Sequence, residues 1–407
     1  MYFCLLKGNC SISDFILNRH MKYLGLDQPM LTEKGALHTA VEICQQPQLW
    51  EKIYKSLLLQ KPELKEFLNE ALAKSERIIL IGAGTSAFIG LSLRGIFQRS
   101  TGRITEAIST TDLVSHPHDY LFKAIPTLVI SFARSGNSPE SEAAVALSDR
   151  LCKTCYHLIV ICNADGKLAQ YPAKNKFVFT LPKEANDQSL AMTSSYSGML
   201  LAGLLIAELD QLSTLNNIIR TLVKYGEKAI SYYAAELKQI AEKDFSRAVF
   251  LGSGPLFGTA TESHLKLQEL TDGKIICKSD SFLGFRHGPK AVINESTLVV
   301  YIFSNDEYTL KYEKDLVESM KKGNRPLLEI GIMESQLPGI NLDHKFHFAE
   351  NGSAIREEFL TVCSIIPAQI LGFYKSLQVG LRPDSPSYSG SITRVVEGVQ
   401  IYDLKKI

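Results

Sequence analysis

Two stretches of this chain read as copies of one another, and nothing else in it limits the fold as much. ERIILIGAGTSA at 76–87 and SRAVFLGSGPLF at 246–257 superpose, with Gly82 and Gly84 on Gly252 and Gly254 at an offset of 170 residues. The offset persists downstream, where TLVISFARSGNS at 127–138 falls on TLVVYIFSNDEY at 297–308. HLIVICN at 157–163 falls near RPLLEIG at 325–331, about 168 apart, and KFVFTLP at 176–182 near KFHFAEN at 345–351. Each run is rich in Ile, Val, Leu and Phe without strict alternation, and each is followed by a polar turn and a segment of helical period. That is the pattern of parallel strands covered on both faces by helices. The fold class expected is therefore α/β, with two tandem doubly wound parallel-sheet domains of flavodoxin or Rossmann-like three-layer form.

In such folds ligands sit beyond the carboxyl ends of the strands, where loops enter helices. The loops to examine are Gly82–Ala87, Ala133–Ser138, Ala191–Ser195 and Gly252–Gly258. The second carries the strongest local signal. Ser138 suits a helix N-cap, Pro139 suits the first helical position, and Glu140 and Glu142 favour the helix's positive end. Ser135, Gly136, Asn137 and Ser138 leave room for a phosphate at that N-terminus, and Arg134 can add charge-assisted hydrogen bonds. Thr193 and Ser194 open another helix, and Thr85 and Ser86 lie in the first glycine turn, so three hydroxyl-bearing loops are expected to converge on one phosphate. A capped turn is what each offers alone. Gly82, Gly84 and Ala87 also fit G-x-G-x-x-A after a strand, with Glu106 as the acidic residue a dinucleotide would want. That fingerprint leaves the serine loop unexplained, so no dinucleotide and no other cofactor is expected.

Charge narrows the partners. Lys plus Arg total 44 against 43 Asp plus Glu, a formal net charge of +1, so no global field gathers nucleic acid or an anionic membrane. A phosphate must be met locally. Eight cysteines are scattered, and a chain of 407 residues does not need disulfides to fold, which suits a reducing compartment. Cys152 and Cys155 have CxxC spacing but no accompanying second pair, so no metal is expected there. His116 with His118 and His344 with His347 read as surface or strand residues. The longest apolar stretch, around Met199–Ala207, is about half of the ~20 residues needed to span a bilayer. With no signal-peptide pattern at the start, a cytoplasmic location without nucleic-acid or membrane partners is expected.

Taken in order and duplicated, these loops resemble the sugar isomerase (SIS) domain family. Its phosphate loop commonly reads S-x-S-G-x-[ST], which Ala133–Ser138 follow except that Ala133 replaces the first serine. The combination of GAGTSAFIG, SFARSGNSPES, HLKLQELTDGK, FRHGPK and LRPDSPSYSG is similar to one subgroup, the galactosamine-6-phosphate deaminase/isomerases, known also as tagatose-6-phosphate ketose/aldose isomerases. Glu262, Lys266 and Glu269 are spaced to line one helical face, which alone would describe a solvated salt-bridged surface. They are similar to the E-x3-K-x2-E helix in the isomerase domain of glucosamine-6-phosphate synthase. By that resemblance Glu269 is the general base, Lys266 contacts substrate, and His287, in an Arg-His-Gly-Pro loop, opens the sugar ring from the neighbouring subunit of a homodimer or higher oligomer. In the synthase a lysine follows a D-x-P motif in the tail. Here Asp384, Ser385 and Pro386 lead to Ser391 at about that position, with Arg394 beyond, which leans toward loss of the amine over its transfer.

The resemblance implies conversion of D-galactosamine 6-phosphate to D-tagatose 6-phosphate and ammonia. Isomerisation of tagatose 6-phosphate without deamination, or a non-catalytic sugar-phosphate sensor, are the alternatives. It implies four segments: an N-terminal extension and helix at 1–50, a phosphate-binding domain at 51–215, a domain with the catalytic helix and histidine loop at 220–375, and a tail at 376–407. Residues 31 to about 75 read as helical, with Pro47 and Pro62 as starts or breaks. The ordered chain is expected to begin near Met21, and 381–399 to lie as a loop across the surface.

Overall fold

The computed structural model describes residues 22–352, 354–396 and 398–404, so the expectation about the first twenty residues lies outside the described ones. A short hairpin of β1 (Lys22–Tyr23) and β2 (Leu26–Asp27) leads into α1 (Gln28–Glu33), α2 (Leu37–Cys44) and the long α3 (Gln46–Lys74). Pro47 stands in the first turn of α3, where its missing N–H costs nothing, and Pro62 is carried inside the helix.

The first sheet follows: β3 (Arg77–Gly82), α4 (Thr85–Thr101), β4 (Ile104–Ser109), β5 (Thr127–Ala133), α5 (Pro139–Leu151), β6 (Cys155–Ile161) and β7 (Lys176–Thr180). α6 (Ser194–Ala207), α7 (Asn216–Tyr232) and α8 (Ala234–Ala241) bridge to the second. That sheet comprises β8 (Arg247–Gly252), α9 (Pro255–Leu270), β9 (Ile276–Asp280), β10 (Thr297–Ile302), α10 (Glu307–Met320), β11 (Leu328–Met333) and β12 (His344–His347), closed by α11 (Glu357–Cys363) and α12 (Ile366–Gln378).

The strand orders are β4-β3-β5-β6-β7 and β9-β8-β10-β11-β12, which is one topology used twice. All pairings in both sheets are parallel. Arg77 registers with Thr127 and Arg247 with Thr297, so the offset of 170 holds for the two central strands of each sheet. Further out the copies diverge. Tyr156 and Leu328 occupy equivalent places, as do Phe177 and His344, so the third and fourth strand pairs are displaced by a few residues from the sequence alignment. Connecting segments of unequal length absorb the difference. β3, β5, β6 and β10 are buried along their whole length, as continuous apolar strands between two helical layers must be.

Gly84 and Gly254 carry almost the same dihedrals, φ 53° with ψ −125° and φ 52° with ψ −125°. Both let the strand turn sharply into its helix. A Cβ on Gly82 would stand 2.6 Å from the Ser86 carbonyl oxygen and one on Gly252 2.7 Å from the Leu256 carbonyl carbon, so the helix closes onto the strand only over glycine. The two helices so launched, α4 and α9, pack on each other and join the domains. Gly258 brings them close, since a Cβ there would lie 2.7 Å from the Phe88 carbonyl oxygen.

The longest apolar helical run is not the one expected. Glu357–Gln378 is long and apolar enough to cross a membrane by length and composition, yet 94% of its most apolar window is buried in the fold. α11 and α12 form it, packing on α9 and α7. α6 is likewise apolar all round and buried from Ser194 to Ile206, between α3 and α4. Beyond α12 the described tail has neither helix nor strand. Asp384 pins its start, accepting from the backbone N–H groups of His38 (3.2 Å) and Thr39 (2.8 Å) at the N-terminus of α2.

Candidate active site

A cavity of about 900 Å³ opens between the domains at the carboxyl edge of the first sheet. Ala83–Ser86, Phe132–Gly136, Ser138 and Ser141 form one wall, and Leu265, Lys266, Gln268, Glu269, Asp272 and Gly273 the opposite one. The tail, from Gly390 to Val396, crosses its mouth.

The first wall is a pair of helix N-termini. α4 begins at Thr85 and α5 at Pro139, so the positive ends of two helices of 17 and 13 residues face one space. Thr85 and Ser86 are buried there. Gly136 has φ +66°, which bends the loop. Ser135 Oγ accepts from the Asn137 N–H at 3.2 Å. Ser138 stands at the N-cap position, but its hydroxyl bonds Ser141 Oγ at 2.6 Å and does not cap the helix. Asn137 is exposed and turned away, its Oδ1 accepting from the Lys167 N–H at 3.1 Å. Ser141 was missed in the sequence, and its place one turn into the helix was the available signal.

Two expected anion ligands are not where the phosphate reading put them. Thr193 and Ser194 are fully buried and line no part of the cavity. The Asp187 carboxylate occupies the N-terminus of α6, accepting from the backbone N–H groups of Thr193 (2.8 Å) and Ser195 (2.9 Å) and from the Ser195 hydroxyl. Ser194 Oγ donates to the Glu42 carbonyl at 2.9 Å. A helix end already holding a carboxylate has no place for a second anion, so two hydroxyl loops converge here and not three. Arg134 differs as well. It lines the cavity, but Nη1 donates to the carbonyls of Ser189 (3.2 Å) and Leu190 (3.0 Å), and Nη2 donates to the Arg394 carbonyl. Burial lowers its pKa. Its guanidinium ties the cavity wall to the tail, and Arg394 returns the tie by donating to the Asp187 carbonyl (2.9 Å) and Asn186 Oδ1 (3.0 Å).

The opposite wall is the helical face of Glu262, Lys266 and Glu269, and it is not solvated. Glu262 and Lys266 are wholly buried. Lys266 Nζ lies 3.1 Å from Glu262 Oε1, donates to Glu269 Oε1, and donates to Thr85 Oγ1 at 3.2 Å. Three donors meet three acceptors. Thr85 in turn donates to Glu262 Oε1 at 3.3 Å, so the cluster stitches α4 to α9. Burial pushes the Glu262 carboxyl up to about 8, and its Oε2 is buried without a partner. Burial works against the Lys266 ammonium too, but Glu262 and Glu269 outweigh it and raise its pKa. The cation therefore stays charged, and Glu262 can hold a proton near neutrality. Glu269 alone of the three reaches partly into the open, with 14% of its side chain exposed.

His287 does not join this cavity within one chain. It follows a short helix, Phe282–Phe285, in an exposed loop where Gly288 has φ +112°, outside the cavity lining. Glu106 sits in mid-strand and accepts from Arg77 Nη1 at 3.2 Å, so the acidic residue of a dinucleotide site is engaged elsewhere. Cys152 and Cys155 are buried, unpaired thiols. Asp149, Cys155 and His157 do cluster, with ligand atoms within 4.8 Å of one another, outside the cavity lining.

Residues 71–209 match the model of the SIS domain. The chain is 41% identical over 387 residues to the D-galactosamine-6-phosphate deaminase AgaS of Shewanella sp. (strain ANA-3), covering 94% of this chain and 96% of that protein. Among solved structures, a candidate tagatose-6-phosphate ketose/aldose isomerase from Clostridium novyi NT superposes with TM-score 0.91 at 41% identity, over 94% of this chain and all of that one. The tagatose-6-phosphate ketose/aldose isomerase of Escherichia coli superposes with TM-score 0.81 at 34% identity, over 90% of this chain and 97% of that one.

Proposed function

The chain belongs to the sugar isomerase (SIS) domain family, in the branch of the D-galactosamine-6-phosphate deaminases, and on that premise we propose that it converts D-galactosamine 6-phosphate to D-tagatose 6-phosphate and ammonia. The observation that carries the reading is the buried Glu262–Lys266–Glu269 row facing two helix N-termini across one cavity.

The phosphate rests on the N-termini of α4 and α5 among Thr85, Ser86, Ser135 and Ser138, which leaves the sugar's first carbons toward α9. Ring opening exposes the aldehyde. Glu269, the carboxylate of the row that reaches the open space, takes the proton from C2 and returns it to C1. The amine-bearing carbon becomes a ketimine, and water adds there to release ammonia and leave the ketose. Lys266 holds Glu269 in place and supplies positive charge to the oxygen that gains negative charge as the C2 proton departs. His287 lies outside this cavity in its own chain, and the family resemblance assigns ring opening to His287 of a neighbouring copy, so that the active unit is a homodimer or larger. We assign 51–215 to the phosphate-binding domain, 220–375 to the domain of the proton-transfer helix, and 376–407 to the closing tail. The six described cysteines are free, which fits a reducing compartment, and we place the enzyme in the cytoplasm.

The test is ammonia release from galactosamine 6-phosphate beside glucosamine 6-phosphate. Release from the galacto sugar, abolished in Glu269→Gln, is expected. Interconversion of tagatose 6-phosphate with its aldose and no ammonia would favour the isomerase reading, which the Escherichia coli structure's assigned activity keeps in view.

A further inference from the structure

Among the described residues only two that are not glycine have positive φ, Leu24 at 50° and Asp272 at 48°. Leu24 sits with Gly25 in the two-residue turn between β1 and β2, where paired strands demand such dihedrals. Asp272 has no hairpin to excuse it. It stands just past α9, where the Gly273 N–H donates to the Gln268 carbonyl (2.9 Å) and the Asp272 N–H to the Glu269 carbonyl (3.1 Å). These are the two bonds of a Schellman ending, and Asp272 holds its left-handed position, which is usually glycine. The residue is unfavourable twice over. An L side chain is strained there, and a carboxylate lies against the negative end of a 16-residue helix. Glycine is available in the next position, so the backbone alone does not call for aspartate.

The position faces the cavity. Asp272 lines it beside Gln268, Glu269 and Gly273. No hydrogen bond or ion pair to its carboxylate occurs among the described residues, and the nearby Lys274 is turned away, donating to the Val379 carbonyl at 2.9 Å. Strain kept at a cavity wall points to a ligand. A carboxylate at a helix C-terminus, one turn from Glu269, makes a place for a cation. We propose that Asp272 is a specificity residue that receives the ammonium group on C2 of the hexosamine phosphate. The inference rests on the amino-sugar reading above. It places the nitrogen against Asp272 while Glu269 works on the proton of the same carbon. The nitrogen is cationic as the ammonium and again as the iminium, having passed one N–H proton to the C1 oxygen by way of the neutral enolamine between them, so Asp272 faces a cation at both ends of the step.

The test uses open-chain alditols, which lack a carbonyl and cannot turn over: 2-amino-2-deoxygalactitol 6-phosphate and galactitol 6-phosphate. Calorimetry on the full-length protein is expected to show the amino compound bound about tenfold or more tighter, the worth of a charged hydrogen bond. Asp272→Asn, which tolerates the left-handed backbone, should erase that preference and leave galactitol 6-phosphate binding unchanged. Asp272→Gly should erase it as well and melt at the same or a higher temperature. A preference that survives in Asp272→Asn, one that the unsubstituted protein lacks, or a parallel loss of both affinities with a lower melting temperature would overturn the proposal. Failure of the amino-sugar reading shows separately, as no ammonia released by the unsubstituted protein from any hexosamine phosphate.

Discussion

Replacing Lys266 by methionine tests the cluster at the domain junction, because the two side chains are similar in length and differ in charge. In the native protein the buried ammonium meets Glu262 Oε1 at 3.1 Å, Thr85 Oγ1 at 3.2 Å and Glu269. Lys266→Met leaves Glu262 fully buried beside Glu269 with no cation. Breaking a buried ion pair by removing one partner costs about 3–5 kcal/mol, most of it the energy of the uncompensated charge. That charge can be neutralised by a proton. The Glu262 carboxyl, already raised from 4.5 to about 8 by burial, must rise further once its nearest cation is gone. A carboxyl whose folded pKa lies above its unfolded one contributes most favourably below the unfolded value, and that contribution is lost as pH rises through the folded pKa. Even the native shift amounts to about 5 kcal/mol at most across that window. The variant's deficit should therefore be smaller at about pH 6, where Glu262 holds a proton in both proteins, and grow only above the native folded value of about 8, by about 1.4 kcal/mol at about pH 9. Denaturant midpoints of both proteins at the two pH values measure it. A deficit equal at both would refute the claim that charge burial, and not lost packing, makes Lys266 necessary.

Gly258→Ala should force α4 and α9 apart, since the new Cβ would meet the Ser92 side chain, the Phe88 carbonyl oxygen at 2.7 Å and the Ser92 nitrogen at 2.8 Å. A loss of about 1–3 kcal/mol in thermal denaturation is expected, with a fall in kcat because Thr85 and Lys266 meet across that crossing. Arg134→Lys keeps the charge but cannot reach the carbonyls of Ser189, Leu190 and Arg394 together. Faster trypsin cleavage in the tail of the ligand-free protein should report it, and an unchanged digestion pattern would return Arg134 to the role of a simple phosphate ligand.

The duplicated glycine turns, the repeated succession of buried parallel strands and helices, and the face of Glu262, Lys266 and Glu269 were legible because each rests on local spacing. A strand that must turn over glycine into a helix leaves that glycine in the sequence, and a helix leaves its period. What was illegible depended on residues far away in the chain. Thr193 and Ser194 read as anion ligands, but a hydroxyl at a helix start looks the same whether it waits for a ligand or lies beneath an upstream carboxylate. Asp187 decided it by folding back onto the N-terminus of α6. Arg134 turned from phosphate to backbone carbonyls 55, 56 and 260 residues away. The spacing of Glu262 and Lys266 could not tell a solvated face from a buried one, because only the packing of α4 on α9 removes the water. Asp272 gave no sign at all, since its φ is a property of the backbone.

The two domains also differ at the loop where the proposed phosphate site lies. In the first sheet the loop after β5 ends in serines and the cavity beyond is open. The equivalent loop after β10 is filled from within: Asp306 caps α10, accepting from the Thr309 N–H at 2.8 Å, and Glu313 accepts from the Ser304 N–H at 2.9 Å. Glu357 accepts from Ser304 Oγ, so a third carboxylate crowds the same turn. Burial raises the Glu313 carboxyl to about 7, close to where it could shed its charge, yet a protonated acid still fills the space. An anion brought to this turn would meet carboxylates where the first domain offers hydroxyls and helix N-termini. On the proposed reading the second copy contributes instead the helix after its glycine turn, α9, whose Lys266 and Glu269 line the first domain's cavity. On that reading binding and proton transfer are divided between the copies, and the α4–α9 contact holds the two parts in register.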